Sequence, residues 1–249
     1  MRRSLIPAAR SVRTRTSGPA TQLHAAAGFT AGRIEVRLTL GRDSAGIASS
    51  ISDRRQIMNI LIAGLVLFLG AHTVRIVADG WRTKQIARIG ERKWKGLYAL
   101  VSLVGVVLIV WGFGQARQGS AVLWNPPLWA RYAASLLLLP AFVLIVAGNL
   151  RGTRMKAGLG HPMLVGTQLW AFAHLLANGR LAGSVLFGAF LLWAIADYVS
   201  ARRRDSAAGT VYPPGTWSRD GLAIVIGVVA WIVFGLWLHG PLIGVRPFG

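Results

Sequence analysis

The sequence contains no cysteine, and this absence removes several kinds of chemistry at once. Disulfide bonds, thiolate metal sites and nucleophilic thiols are all excluded. Any metal bound by this chain must take histidine, methionine, carboxylate or backbone groups as its ligands. Histidine is therefore the first residue type to follow through the sequence.

Acidic residues are scarce, with eight Asp and Glu against 28 Lys and Arg. No apolar stretch carries the row of carboxylates that is typical of a proton-coupled transporter. Asp197 lies near one end of an apolar stretch and close to the arginines at 202–204, where we interpret it as a partner in an interfacial ion pair.

Several catalytic and nucleotide-binding motifs are also missing. The sequence has no G-x-x-x-x-G-K-[ST], H-E-x-x-H, G-x-S-x-G or dinucleotide-binding glycine fingerprint. The segments between apolar stretches are too short to hold a soluble catalytic domain. We therefore do not expect a hydrolase or an ATP-driven pump.

Apolar residues dominate what is present. They make up 53% of the chain, only 14% of residues are charged, and the mean hydropathy is +0.50. Apolar runs long enough to span a bilayer lie near 59–78, 96–115, 129–150, 162–178, 181–200 and 221–239. The sequence predicts an all-α polytopic membrane bundle of about six transmembrane helices.

The net charge of +20 would by itself suggest nucleic acid as a partner, but its distribution indicates a membrane. Basic residues cluster at 82–95, 151–156 and 202–219, whereas the alternate connections carry only Arg117 and Arg180. By the positive-inside rule the three basic loops are cytoplasmic and both ends of the bundle lie on the outer side. We predict a multi-pass membrane protein, with the lipid bilayer and not nucleic acid as its partner.

Residues 1–57 differ from the rest of the chain. They contain ten Arg, no Lys and no apolar run long enough to span a membrane or build a core. We predict that this segment is disordered, with a transit peptide as the alternative. A third possibility is that translation starts at Met58, because an Arg-rich tail would otherwise have to cross the membrane. Residues 58–249 form the predicted membrane domain.

His72 and Arg75 lie within the first predicted span, where ionisable residues are costly and often functional. On a helix Arg75 lies about one turn beyond His72. One interpretation is an imidazole ligand to a haem iron, with Arg75 pairing a propionate. The other is a histidine that bonds to a neighbouring helix and an arginine that reaches the headgroups.

Two histidines belong to the fourth predicted span. His161 precedes Pro162 at its start, and His174 follows thirteen residues later. They differ by roughly 220° around one helix, so they are not expected to bind the same metal. His174 is the deeper of the two and the better ligand candidate. His239 ends the last span and is interpreted as interfacial.

Four segments of the chain resemble the NnrU family of bacterial membrane proteins. They are LGAHTVRIV (69–77), KWKGLYALVSLVGVVLIVWGFGQAR (93–117), PPLW (126–129) and, above all, GHPMLVGTQLWAFAHLLANG (160–179). The resemblance covers most of residues 58–239 and implies a six-span or similar bundle in the inner membrane. It also implies an association with nitrite and nitric oxide reduction in denitrification.

The NnrU family is in turn similar to the zeta-carotene isomerase of plants and cyanobacteria, a haem b enzyme. Carried over by matching motifs, its two iron ligands fall on His72 and His174. The predicted spans offset these two residues by about 10 Å along the membrane normal. The resemblance thus implies haem b as the cofactor, with His72 and His174 on the metal and Arg75 close by.

Three functions are compatible with this sequence, and whether the protein is an enzyme stays open. The first is a haem-binding accessory protein that serves the denitrification reductases by sensing or electron transfer. The second is a cis–trans isomerase acting on a lipid-soluble, carotenoid-like substrate. The third is a structural assembly factor without cofactor, whose histidines make hydrogen bonds between helices.

Overall fold

The computed structural model describes residues 56–247, and the segment predicted to be disordered lies outside this range except for Gln56 and Ile57. The described part of the chain is built of helices. They are α1 (Gln56–Val77), α2 (Asp79–Ile89), α3 (Glu91–Gly119), α4 (Leu128–Asn149), α5 (Arg154–Leu159), α6 (Pro162–Ala177), α7 (Leu181–Ala207), α8 (Trp217–Val233), a π-helical turn (Phe234–Leu238) and α9 (His239–Ile243).

Within residues 56–247, five helical segments are long and apolar enough to cross a bilayer: α1, α3, α4, α7 and the continuous stretch from α8 to α9. The remaining predicted span, the fourth in chain order, is α6, which has 16 residues and a length of about 24 Å, short of the ~30 Å of a bilayer core. Large apolar side chains such as Val66, Leu136 and Leu192 are exposed on the outside, as lipid contact requires. The prediction of an all-α polytopic membrane bundle is confirmed.

Short contacts tie the loops together at both ends of the bundle. At one end Thr153 and Thr216 form a single-residue bridge, and at the other Val122 pairs with Arg180. The first end carries the connecting segments 78–90, which contains α2, 150–161, which contains α5, and 208–216. We call it the basic end. The other is called the opposite end. The helices alternate in direction between them, as the charge pattern predicts.

Helices α1 and α3 touch backbone to backbone because glycines remove the side chains between them. A Cβ added to Gly64 would lie 2.7 Å from the backbone nitrogen of Ile109, and one added to Gly112 would lie 2.6 Å from that of Leu61. Leu61 and Ile109 are themselves buried at this crossing. Small residues let membrane helices approach closely where lipid supplies no hydrophobic drive between them.

Glycines also allow close contacts of α6 and of α8 with α4. Gly166 of α6 faces Ala141 of α4, and Gly227 of α8 faces Val143. Helix α6 packs between α4 and α7. Because α6 packs against these two long helices, it is held in the bundle although it is shorter than the bilayer core.

A buried carboxylate organises the basic end. Asp220, 7% exposed, accepts hydrogen bonds from the backbone nitrogens of Arg154 (2.8 Å) and Met155 (3.3 Å). The hydroxyl of Thr153 accepts a further bond from the Lys156 backbone nitrogen. These groups satisfy the free N–H groups of the first turn of α5 and fix this short helix against α8.

We predict that Gly64→Ala destabilises the protein by about 1–3 kcal/mol, because the new methyl group must push α3 away. Gly70 lies on the same helix, and a methyl group added there would meet nothing within 4 Å, so Gly70→Ala is the matched control. It should be neutral or slightly stabilising. The midpoint of thermal unfolding in detergent measures both, and equal midpoints for the two variants would contradict the packing described.

Candidate functional site

His72 lies on α1 with one ring nitrogen occupied and the other free. Its Nδ1 is 2.7 Å from the carbonyl oxygen of Phe68, one turn earlier. A carbonyl only accepts, so Nδ1 carries the proton and Nε2 presents its lone pair. Within the described part of the chain, Nε2 makes no hydrogen bond. An imidazole oriented by a backbone carbonyl is the usual form of a metal-binding histidine.

His174 repeats this local arrangement on α6. Its Nδ1 is 2.8 Å from the carbonyl oxygen of Trp170, and its Nε2 has no hydrogen-bond partner among residues 56–247. Both histidines follow an aromatic residue by four positions and an alanine by one, in FLGAH and WAFAH. The two sites thus share one sequence pattern and one tautomer.

A continuous column of aromatic rings joins the two histidines. The ring centroids lie 4.2 Å apart for His72 and Phe68, 5.7 Å for Phe68 and Phe190, 5.5 Å for Phe190 and Trp170, and 5.1 Å for Trp170 and His174. We call Phe68, Phe190 and Trp170 the aromatic column. Its rings separate the two imidazoles.

The contacts with α7 show how far apart the histidines lie. His174 stacks on Phe187 at 4.5 Å, whereas His72 meets the edge of Trp193 at 5.7 Å. These two α7 residues are separated by six positions, or about 9 Å of helix rise. The structure therefore keeps the offset expected from the sequence, and it does not bring His72 and His174 to a common point.

His72 lies at the inner end of a cavity of about 610 Å³ at the basic end. Arg75 lines the same cavity, so the structure brings these two predicted site residues together, while His174 is not among the lining residues. Tyr98 and Trp193 form aromatic walls next to the His72 ring. Five cationic side chains and two carboxylates face the space: Arg75, Arg82, Lys95, Lys156 and Arg204 against Glu91 and Asp197.

Comparison with known proteins gives one finding. The chain matches the family model described as NnrU protein over residues 60–247. The chain belongs to the NnrU family. No curated protein and no solved structure matches it.

In this NnrU-family chain, His161 is bound differently from His72. Its Nε2 donates to Asp205 Oδ2 at 2.9 Å, and the Tyr212 hydroxyl donates to the same oxygen at 2.8 Å. Both partners belong to the end of α7 and the loop after it. The hydrogen bonds fasten that loop over the start of α6, and they occupy Nε2, the ring nitrogen that makes no hydrogen bond in His72 and His174 within residues 56–247.

The remaining histidine of the NnrU domain lies at the opposite end. His239 Nδ1 is 2.6 Å from the Val245 carbonyl oxygen, and its ring meets the edge of Phe234 in the π-helical turn. No group of three or more His, Asp or Glu side chains suited to a metal ion occurs in residues 56–247. A metal site in this part of the protein would therefore depend on individual histidines.

Sequence reasoning missed several residues of this region. Tyr98 and Trp193 come to His72 from α3 and α7, and Asp205 and Tyr212 reach His161 across more than forty positions. One signal was present in the sequence. Phe187, Phe190 and Trp193 recur every third residue, as expected for one face of a helix.

The pKa of Tyr212 is raised above its ordinary value of 10.0, first by burial and then by its hydrogen bond to Asp205. A raised pKa means that the folded state favours the protonated phenol. The resulting stabilisation is fully present below pH 10 and is lost as pH rises through the raised pKa.

We predict that Tyr212→Phe lowers the free energy of unfolding by about 1 kcal/mol at neutral pH, since it removes a hydrogen bond to a carboxylate. The alkaline absorbance titration of this variant should also lack one tyrosine whose pKa is raised. Tyr132→Phe is the control, because that side chain is 67% exposed on α4. Equal stability of both variants at pH 7 would show that the Asp205 hydrogen bond contributes nothing.

Proposed function

We propose that this NnrU-family protein binds haem b in the cavity at the basic end, with His72 as an iron ligand and Arg75 beside a propionate. The observation that carries this proposal is the free Nε2 of His72 at the inner end of the cavity. Its Nδ1 is held by the Phe68 carbonyl, so the ring is oriented before any ligand arrives.

The surroundings fit such a group in size and chemistry. The volume of about 610 Å³ lies within the 300–1,000 Å³ typical of cofactor sites. Next to His72, the indole Nε1 of Trp193 is buried and has no hydrogen-bond partner in residues 56–247. Aromatic walls suit a flat apolar macrocycle, and a cationic mouth suits two carboxylates.

His174 has the same tautomer as His72, and its Nε2 could bind iron, but aromatic rings lie between it and His72. Ligation by both histidines requires the aromatic column to open, above all the Phe190 ring between Phe68 and Trp170. The proposal therefore assigns His72 to the iron directly and tests His174 in the same experiment.

Haem would supply a redox-active iron that binds nitric oxide or passes electrons. This chain's own residues would orient the imidazole and neutralise the propionates. We propose an accessory role in nitrite and nitric oxide reduction in the bacterial inner membrane, with the basic end in the cytoplasm. Turnover of a lipid-soluble polyene by the purified protein would replace this role with that of an isomerase.

The optical spectrum of detergent-purified protein, oxidised and dithionite-reduced, tests the proposal. We expect a b-type spectrum in the wild type, its loss in His72→Ala and its partial recovery in His72→Gly with added imidazole. Conversion to high spin in His174→Ala would make that residue the second ligand. His239→Ala is the matched control, because its ring lies at the opposite end.

Size-exclusion profiles must show that each variant is folded. Absence of haem from every sample, with protein purified from haem-replete cells, would contradict the proposal. It would leave a membrane accessory protein whose histidines hold helices together.

A further inference from the structure

The cations of the cavity divide into those with and those without a carboxylate partner. Three of the five are neutralised by an acid: Arg82 by Asp79 at 3.5 Å, Lys95 by Glu91 at 2.7 Å and Arg204 by Asp197 at 3.7 Å. The other two, Arg75 and Lys156, have no carboxylate within ion-pair distance among the described residues.

Arg75 and Lys156 are also poorly engaged by other groups. Among the described residues, the Lys156 Nζ makes a single, long hydrogen bond of 3.4 Å to the Gly148 carbonyl oxygen. The Arg75 guanidinium makes no hydrogen bond within residues 56–247, although its backbone oxygen accepts one from Arg204 at 3.5 Å. Two cations in one cavity without counter-charges create a place for two negative charges.

The two cations belong to different walls of the cavity. Arg75 lies at the end of α1, and Lys156 lies on α5, which the buried Asp220 carboxylate fixes in place. Deeper in, the walls become aromatic at Tyr98 and Trp193. The polarity of the cavity thus changes from cationic at its mouth to apolar at its inner end, which is the profile of an amphiphile with anionic groups.

We propose that Arg75 and Lys156 form a two-point anion site that holds an amphiphile by two carboxylate or phosphate groups, with its apolar body against Tyr98 and Trp193. Identification of that amphiphile as haem b rests on the function proposed above, but the anion site itself does not. The same chemistry is offered by porphyrin propionates and by the phosphates of an anionic phospholipid.

Metal-free protoporphyrin IX separates this inference from iron ligation, because it carries both propionates and no metal. We would titrate it by fluorescence into the full chain in phosphatidylcholine nanodiscs. Arg75→Gln and Lys156→Gln should each weaken binding about tenfold, the effect of one charge-assisted hydrogen bond. Lys84→Gln and Arg88→Gln are matched controls, because these two cations lie on α2 at the same end and do not line the cavity, and they should change binding less than twofold.

The dimethyl ester of protoporphyrin IX has the same apolar body without the charges. It should bind the wild type as weakly as protoporphyrin IX binds the doubly substituted Arg75→Gln, Lys156→Gln protein. His72→Ala should keep its affinity for metal-free porphyrin even though it loses the haem spectrum. Failure of the haem proposal and failure of the anion site are therefore distinguishable.

Phosphatidylglycerol nanodiscs identify the source of the anion. If this lipid competes with porphyrin in the wild type and not in the double variant, the site holds phospholipid phosphates as well. Equal binding of protoporphyrin IX and its dimethyl ester would overturn the proposal. So would losses in Lys84→Gln or Arg88→Gln as large as those in Arg75→Gln and Lys156→Gln.

Discussion

Close helix crossings at small residues hold in place the two helices that carry His72 and His174. In a bilayer the lipid chains are as apolar as the helix surfaces, so packing rather than the hydrophobic effect holds the helices together. Gly64 and Gly112 bring α1 against α3, and Gly166 brings α6 against α4. Because α1 and α6 are both fixed in this way, their histidines meet the same face of α7.

The bilayer also explains why the two imidazoles look alike. A ring N–H inside the membrane needs an acceptor, and the nearest one is the carbonyl oxygen one turn earlier on the same helix. His72 and His174 both use it. The consequence is chemical, since satisfying Nδ1 in this way leaves Nε2 as the available ligand atom.

Much of the fold could be predicted from the sequence, because long apolar runs and alternating basic loops depend only on chain-local properties. Two features of the candidate site are also local in the sequence and could be predicted in the same way. They are the three-residue spacing of His72 and Arg75 and the pattern shared by the segments that end at His72 and His174. The cavity was not predictable, because Lys156 and Trp193 meet there through tertiary packing. The carboxylate of Asp220, which positions α5, acts across more than sixty residues and left no pattern in the sequence.

The short helix α6 affects how the membrane potential is distributed across the protein at the cavity. It begins only at Pro162, and the cavity is open between this start and the ends of α1 and α7, down to His72. His72 is five residues from the end of α1, so the recess reaches about 7 Å into the bundle. The apolar part of the protein between this recess and the opposite end of the bundle is correspondingly thinner. Part of the membrane potential, worth about 2.3 kcal/mol per charge for each 100 mV, would then act on the dianion proposed to enter the cavity. Occupancy by that proposed ligand would depend on membrane voltage as well as on its concentration.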